Sequence, residues 1–405
     1  MKKFLKVLGI IFASLLALVL VAAIVVGCIW FHEIKTVASI KQIASFNEEH
    51  RDGNVYVINY SGGYYFDDFI EQGGVSNDSE LMAFIMNHIT KGIEIPGVTS
   101  AGCSSYTCAT EDGDRLFCRN FDLSKSNSAI ILTNPGNGRY KSITTADLKY
   151  CGVSQNKTEI SLIDKVKCLA LTYAPMDGMN EKGLACSIYI SYQGVYEDAE
   201  GKSHTTKTDI STDKPDITST TMMRMVLDYC ATVDEAIEMI EKYDLHDSST
   251  NAFHYSLSDA TGKAACLEWI YDTNATDLDG TNRTLHITYS DGTNPLVVTN
   301  HVIVEGYYAS DDDKKGFDRM SDIKAELEKT GSVVSGVDEA LDILSVAGVR
   351  TRVEAGKQEA SAALTLWSVV YNLTDKTVTL CANEHYGEPE YTFTYSFDDF
   401  FKNVK

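Results

Sequence analysis

Residues 7–31 form one uninterrupted apolar run without a charge, and no other stretch of the chain resembles it. A membrane-spanning helix needs about 20 such residues. Beyond the run the pattern is that of a folded protein. Residues 54–60 alternate and predict a strand ended by Ser61-Gly62-Gly63. Residues 79–91 predict a helix with Leu81, Met82, Ile85 and Ile89 on one face, capped by Asn77 or Asp78 and stopped by Gly92. From Ala101 the texture changes to short alternating strands joined by tight turns. Segments 104–110 and 115–119 flank Glu111-Asp112-Gly113-Asp114, a hairpin signal. Further strands are predicted over 184–192, over 253–258 paired with 263–270, and over 365–372 paired with 377–382. Helical periodicity marks 218–230, 233–243, 319–329 and 337–346. Residues 197–217 read as an irregular surface loop. Strand pairs interleaved with helix pairs predict an α+β protein with antiparallel sheets covered by helices.

Lys2, Lys3 and Lys6 precede the apolar run with no acid among them. That asymmetry keeps the N-terminus in the cytoplasm and puts the rest of the chain outside. The expectation is a single-pass protein of the cell membrane, held through residues 7–31, with its bulk extracytoplasmic. A cleaved signal peptide, which would give a secreted protein, has a shorter apolar core of about 7–15 residues. A lipoprotein box can also be read in Val25-Val26-Gly27-Cys28, although Ile29-Trp30-Phe31 is a poor start for a lipoprotein.

Composition narrows the function. The 405 residues carry 35 Lys+Arg against 57 Asp+Glu, a net charge of −22, which repels phosphate backbones and argues against nucleic-acid binding. Outside the apolar run the cysteines number nine of the ten. They are neither in CxxC spacing nor in a dense framework, so a disulfide scaffold is not expected. Dinucleotide, Walker, HExxH and GxSxG patterns are absent, and the histidines are scattered. No cofactor or metal is called for. The run beginning at Asp311 reads as solvated charge rather than a calcium loop, because Lys315 stands where a ligand belongs.

The chemistry concentrates at Cys103. A strand begins there, turns at Asp112-Gly113 and returns so that Arg119 and Asp122 end beside its start. One hairpin thereby collects a thiol, a guanidinium and a carboxylate. A neighbouring arginine favours thiolate, and a carboxylate can orient an amine. Cys108, mid-strand, is the rival nucleophile.

This stretch resembles the N-terminal nucleophile amidases of the choloylglycine hydrolase family, which includes bile salt hydrolases, penicillin V acylases and acid ceramidase relatives. Cys103 falls on the family's N-terminal cysteine, and Arg119 and Asp122 on its Arg-Asn-x-Asp. The segment Asp177-Gly-Met-Asn-Glu-Lys-Gly-Leu184 resembles its Asn-Glu-Lys-Gly-Leu motif, Val297-Val-Thr-Asn300 the strand end with the oxyanion asparagine, and Phe317-Asp-Arg319 the second arginine. Two positions depart: Cys118 replaces a glycine before Arg119, and Tyr189 or Ile190 stands where bile salt hydrolases carry asparagine. The resemblance covers about residues 101–400.

It implies a four-layer αββα fold and a cysteine amidase acting on a small N-acyl amide through an acyl-thioester. An N-acyltransferase using the same thioester, or a non-catalytic surface protein, are the alternatives. It also implies self-cleavage between Gly102 and Cys103, freeing an α-amine as general base. Asp122 would hold that amine, Arg119 would stabilise the thiolate, Asn300 would donate to the oxyanion and Arg319 would complete the charge network. Asn180 and Tyr189 are the further substrate or oxyanion candidates, Asn180 reading more simply as a turn residue. The expected division is an anchor over 1–31, a structured pro-segment or small subunit over 32–102 and a catalytic domain over 103–405.

Overall fold

A computed structural model describes residues 2–45, 47–95, 102–153, 159–193, 196–197, 203–204, 207–249, 251–271, 280–308 and 312–400. Residues 96–101, the start of the charge run at 311 and parts of the 197–217 loop lie outside them.

The apolar run is a helix, Lys2–Ile29, and an 18-residue window within Phe4–Ile29 has a mean hydropathy of 3.0 and no residue buried by the rest of the chain. It is long and apolar enough to cross a membrane. One residue later begins the helix Phe31–Ser39, which lays Glu33 and Thr36 against the strand Val55–Ser61.

Two large sheets make the body. Among the described residues the first has nine strands, running from Lys41–Ala44 and Val55–Ser61 through Ser128–Asn134, Ser142–Asp147, Asp177–Asn180, Ala185–Ile190, Phe253–Ser258 and Ala264–Tyr271 to Arg283–Ser290. Val55–Ser61 joins it by parallel pairing, Val55 opposite Ser128 through Ser61 opposite Asn134. The N-terminal segment is thus built into the same sheet as the later strands. The second sheet runs Val297–Val298, Gly102–Thr110, Arg115–Ser124, Ala363–Asn372, Thr377–Ala382 and Thr392–Ser396, with Val333–Val334 beside Gly102–Thr110.

The sheets meet where Gly102–Thr110 approaches Ala185–Ile190. Helix Ser219–Tyr229 covers the first sheet over Asp177–Asn180 and Ala185–Ile190, while Phe317–Thr330, Val337–Ser345 and Val349–Glu354 cover the second. A large apolar core joins the sheets, and a smaller one lies under the helices of the second sheet. Elements with strong local signals form where the sequence predicts them. Asn77 accepts the Glu80 N–H to start helix Asp78–His88, and Thr232 does the same for Glu235 before Val233–Ile240, caps worth about 1 kcal/mol each. In the Asn180-Glu-Lys-Gly turn, Gly183 has φ +83, and a Cβ there would come within 2.2 Å of the Leu373 carbonyl oxygen, so no other residue fits. The 197–217 loop is more ordered than expected at its ends. Tyr196–Glu197 pairs with Ser203–His204, and Asp216–Thr218 lies parallel to Asp244–His246.

Candidate active site

Cys103 is the second residue of its strand and lies opposite Phe121 on the return strand. Successive side chains of that return strand point to opposite faces. Arg119 therefore enters the space between the sheets, whereas Cys118 packs with Tyr106, Leu116 and Leu344 under the helices. This accommodates the cysteine that replaces the family glycine. The hairpin brings Arg119 Nη2 to 2.9 Å from Cys103 Sγ.

Arg119 is wholly buried and held through both of its terminal nitrogens. It donates to the Asp177 carboxylate, to the Met176 carbonyl and, at 2.5 Å, to the Ile188 carbonyl. Tyr189 presents its ring 5.1 Å from the guanidinium carbon and hydrogen-bonds Ser105 at 2.6 Å. Asp177 was not among the expected site residues. It also accepts from Thr145, Tyr371 and, at 3.0 Å, Trp367 Nε1. No local pattern marks it, because the buried cation it needs comes from the other sheet.

A second group gathers around the backbone of Cys103. Arg319, in the first turn of helix Phe317–Thr330, donates to the Cys103 carbonyl at 3.0 Å and to Asp122 at 2.8 Å. Its other nitrogen reaches Asn300 Oδ1 at 2.5 Å. Thr365 completes Asp122 at 2.7 Å. The Cys103 N–H donates to Asn300 Oδ1 at 3.2 Å, and Asn300 Nδ2 donates to the Ile190 carbonyl at 2.9 Å. Asn300 thus turns its oxygen, not its amide, toward the cysteine. The guanidinium of Arg319, which can only donate, dictates that orientation. Asp122 reaches Cys103 through Arg319 rather than directly.

The hairpin, the end of strand Val297–Val298 and the helix start therefore bring Cys103, Arg119, Asp122, Asn300, Arg319 and Tyr189 together. Gly102 precedes the thiol in the strand, opposite Asp122. Asn180 is not part of the group. Its amide caps the Leu227 and Cys230 carbonyls at the end of helix Ser219–Tyr229, and its oxygen accepts Lys182 and Leu184 N–H groups. Cys108 lies on the far side of the strand, away from Arg119, packed against the smaller core.

Burial pushes the Cys103 thiol up to about 11, with Arg119 opposing the rise. Burial also raises Asp122, against the pull of Arg319. The thiol borders a cavity of about 20 Å³ lined by Phe121, Tyr150, Met176, Ile188, Ile190 and Phe253, with Ser219, Thr220 and Ser248 at one side. A much larger cleft of about 720 Å³ opens beside His301, Tyr308 and Phe317, and Cys103 does not line it. The small cavity is the one that adjoins the Cys103 thiol and the charged groups around it. Among the described residues one group has metal-like spacing: His254, Cys266 and Glu268, all buried, with ligand atoms within 4.8 Å of one another.

This chain is one of the choloylglycine hydrolase-like N-terminal nucleophile proteins. Residues 168–386, just over half the chain, match the family of acyl-coenzyme A:6-aminopenicillanic acid acyl-transferase, and the protein belongs to that family. The bile salt hydrolase/transferase of Clostridium perfringens is 27% identical over 181 residues, 41% of this chain and 47% of that protein. The match thus spans about half the length of that relative. Among solved structures, a variant of the conjugated bile acid hydrolase of Clostridium perfringens aligns over 73% of this chain and 92% of its own, with 15% identity and a TM-score of 0.47. Penicillin V acylase from Agrobacterium tumefaciens aligns over 73% and 87%, with 18% identity and a TM-score of 0.47.

Proposed function

We propose that this protein is a self-activating cysteine amidase that hydrolyses a small, linear N-acyl amide. The observation that carries the reading is the double grip on Cys103, Arg119 at its sulfur and Asn300 at its nitrogen, beside an apolar cavity. In the first event the thiol attacks the Gly102 carbonyl. The C–S bond forms as the Gly102–Cys103 C–N bond breaks, and the thiol proton passes to the departing nitrogen. Water then hydrolyses the thioester, leaving a Gly102 carboxylate and a free α-amine on Cys103. An α-amine has an ordinary pKa of about 7.7–8.0, suited to accept the proton of its own thiol.

The same thiol then attacks the substrate amide. Arg119 favours the thiolate against the penalty of burial. Asp122 and Arg319 fix the Cys103 backbone, and the new ammonium gains the Asp122 carboxylate as a neighbour. Asn300 holds the α-nitrogen as oriented here. Turned about its last torsion, it would offer its amide to the oxyanion, where one donor is worth roughly 2.7–4 kcal/mol. The cavity would widen to take an apolar acyl group, and Tyr189 would close the site above Arg119. Helix contacts on both sheets support a four-layer αββα arrangement.

Residues 1–31 would anchor the protein in the cell membrane with residues 32–102 as a pro-segment ahead of a 103–405 catalytic domain. An acyltransferase reading is favoured by the family's name and by the relative's double designation as hydrolase and transferase. It differs only in the acceptor of the acyl-thioester. The test is mass spectrometry of the purified chain together with turnover of bile salts, penicillin V, N-acylethanolamines and acyl amino acids, with and without added amines. A fragment beginning at Cys103, and turnover lost in Cys103→Ala, are expected. An intact chain with full activity would overturn self-activation, and equal activity in Cys103→Ala would overturn the nucleophile. Acylated amine product in place of free acid would select the transferase.

A further inference from the structure

We propose that His254 and Glu268 form a buried positioning pair that fixes Asn300 against Cys103, an inference that rests on the amidase reading above. The two residues are directly opposite one another on the strands Phe253–Ser258 and Ala264–Tyr271, and both are fully buried. His254 Nε2 lies 2.8 Å from the Thr299 carbonyl, which can only accept, so that nitrogen carries a proton. His254 Nδ1 lies 2.8 Å from Glu268 Oε1, and one proton is shared between them.

The Glu268 carboxylate also accepts the N–H groups of Ile303 and Val304, each at 3.1 Å. The pair therefore grips the chain on both sides of Asn300, by a carbonyl at residue 299 and by N–H groups at residues 303 and 304. Asn300 itself follows a strand of only two residues, Val297–Val298. Beyond that strand its buried backbone has no ladder to hold it and must find other partners. Tyr192 N–H supplies one at the Asn300 carbonyl, 2.8 Å away, Tyr308 Oη takes the Val302 N–H at 3.0 Å, and the pair supplies those at residues 299, 303 and 304.

An apolar pair would fill the same volume without the desolvation cost of a buried imidazole and carboxylate. What that polar pair adds is direction: it sets where residue 300 lies relative to the Cys103 nitrogen. His254 also packs edge-on to Tyr189, 5.4 Å between ring centres, so the brace continues into the wall of the Arg119 pocket. Cys266 completes the metal-like group, yet both imidazole nitrogens and the carboxylate already have partners, which satisfies the cluster without a cation.

The test compares His254→Gln with His254→Asn in the full-length protein. Gln carries its amide to the reach of Nε2 and keeps a donor for Thr299, whereas Asn stops at Nδ1 and loses it. A positioning role predicts equal thermal midpoints, KM within about threefold for both variants, and a kcat about 10²-fold lower for the Asn variant alone, the scale expected when a catalytic group is misplaced by about 1 Å. Recovery in the Gln variant to within about fivefold of wild type supports the donor to Thr299 as the working contact. Equal losses in both variants, or losses that track the thermal midpoint, would overturn the proposal, as would one zinc per chain by elemental analysis. A wild-type protein that turns over no acyl amide defeats the amidase reading and this one with it. An active, folded Asn variant with unchanged kcat defeats only the brace.

Discussion

Replacing Arg119 by methionine separates the two things this side chain does. The first is structural. Asp177 would keep Thr145, Trp367 and Tyr371 but lose Arg119, its one charged partner among the described residues, in a fully buried setting. Breaking a buried pair by removing one partner costs about 3–5 kcal/mol. At about 2–4 °C per kcal/mol for a chain of more than 150 residues, the midpoint should fall by roughly 6–20 °C. The second is chemical. The bond to Cys103 Sγ is charge-assisted, a class worth about 1.5–3 kcal/mol. At 1.36 kcal/mol per pKa unit, its loss raises the thiol by about one to two units beyond the value burial has already imposed. The thiol is mostly protonated near neutrality, so the thiolate fraction drops by the same factor, about 10–100-fold. The assay is the rate of iodoacetamide alkylation at Cys103, read by peptide mass spectrometry below the unfolding temperature. Arg119→Lys keeps the charge but not the fork of donors. It should recover most of the alkylation rate and little of the stability. A folded Arg119→Met protein that alkylates at the wild-type rate would refute the assignment of Arg119 to the sulfur.

Other consequences can be checked independently. After self-cleavage the N-terminal fragment should co-elute with the remainder in native size-exclusion chromatography, because Val55–Ser61 is a strand of the nine-stranded sheet. Tyr64 strengthens that hold by donating to both oxygens of Asp228 at 2.7 Å, alongside Arg139 and Arg224. Tyr64→Phe should release the fragment at lower urea, with a loss of about 1–3 kcal/mol. Gly102→Ala should fold normally, since a Cβ there would stand 3.4 Å from Asp122 Cβ, in ordinary contact. Slower appearance of the Cys103 fragment would then report crowding at the carbonyl alone. Burial pushes Asp147 up to about 7 despite its bonds to Ser126 and the Lys149 N–H. Its folded pKa lies above the unfolded one, so its contribution is complete below about pH 4 and is lost as pH rises through about 7. Asp147→Asn should therefore gain in urea midpoint relative to wild type between about pH 5 and about pH 8. A constant difference would refute the shift.

The parts of this molecule that were legible in the sequence are those whose signals are local. The Cys103 hairpin is fixed by Asp112-Gly113 and by alternation on both arms, so Arg119 and Asp122 could be set beside the thiol from spacing alone. Helix Asp78–His88 was bounded by Asn77, and Val233–Ile240 was marked by its periodicity. The strands Ser128–Asn134 and Ser142–Asp147 went unread for a physical reason. They are buried on both faces and show no alternation, which deprives them of the period that marks a half-exposed strand. The parallel partner they provide to Val55–Ser61 was hidden with them, and with it the integration of the N-terminal segment into the main sheet. Among the site residues, Asp177 was hidden by its neighbours. In Asp177-Gly-Met-Asn180 the motif drew attention to the asparagine, whose amide in fact caps helix Ser219–Tyr229, while the acid three positions earlier carries the counter-charge of Arg119. Both lie on one short strand, and only the opposite sheet distinguishes them. Arg119 comes from that sheet, so the pairing exists only once the two sheets have packed. A residue whose role depends on contact between sheets leaves no local pattern to read. The His254–Glu268 pair is of the same kind, since its grip on Thr299, Ile303 and Val304 joins the last strands of the first sheet to the edge of the second.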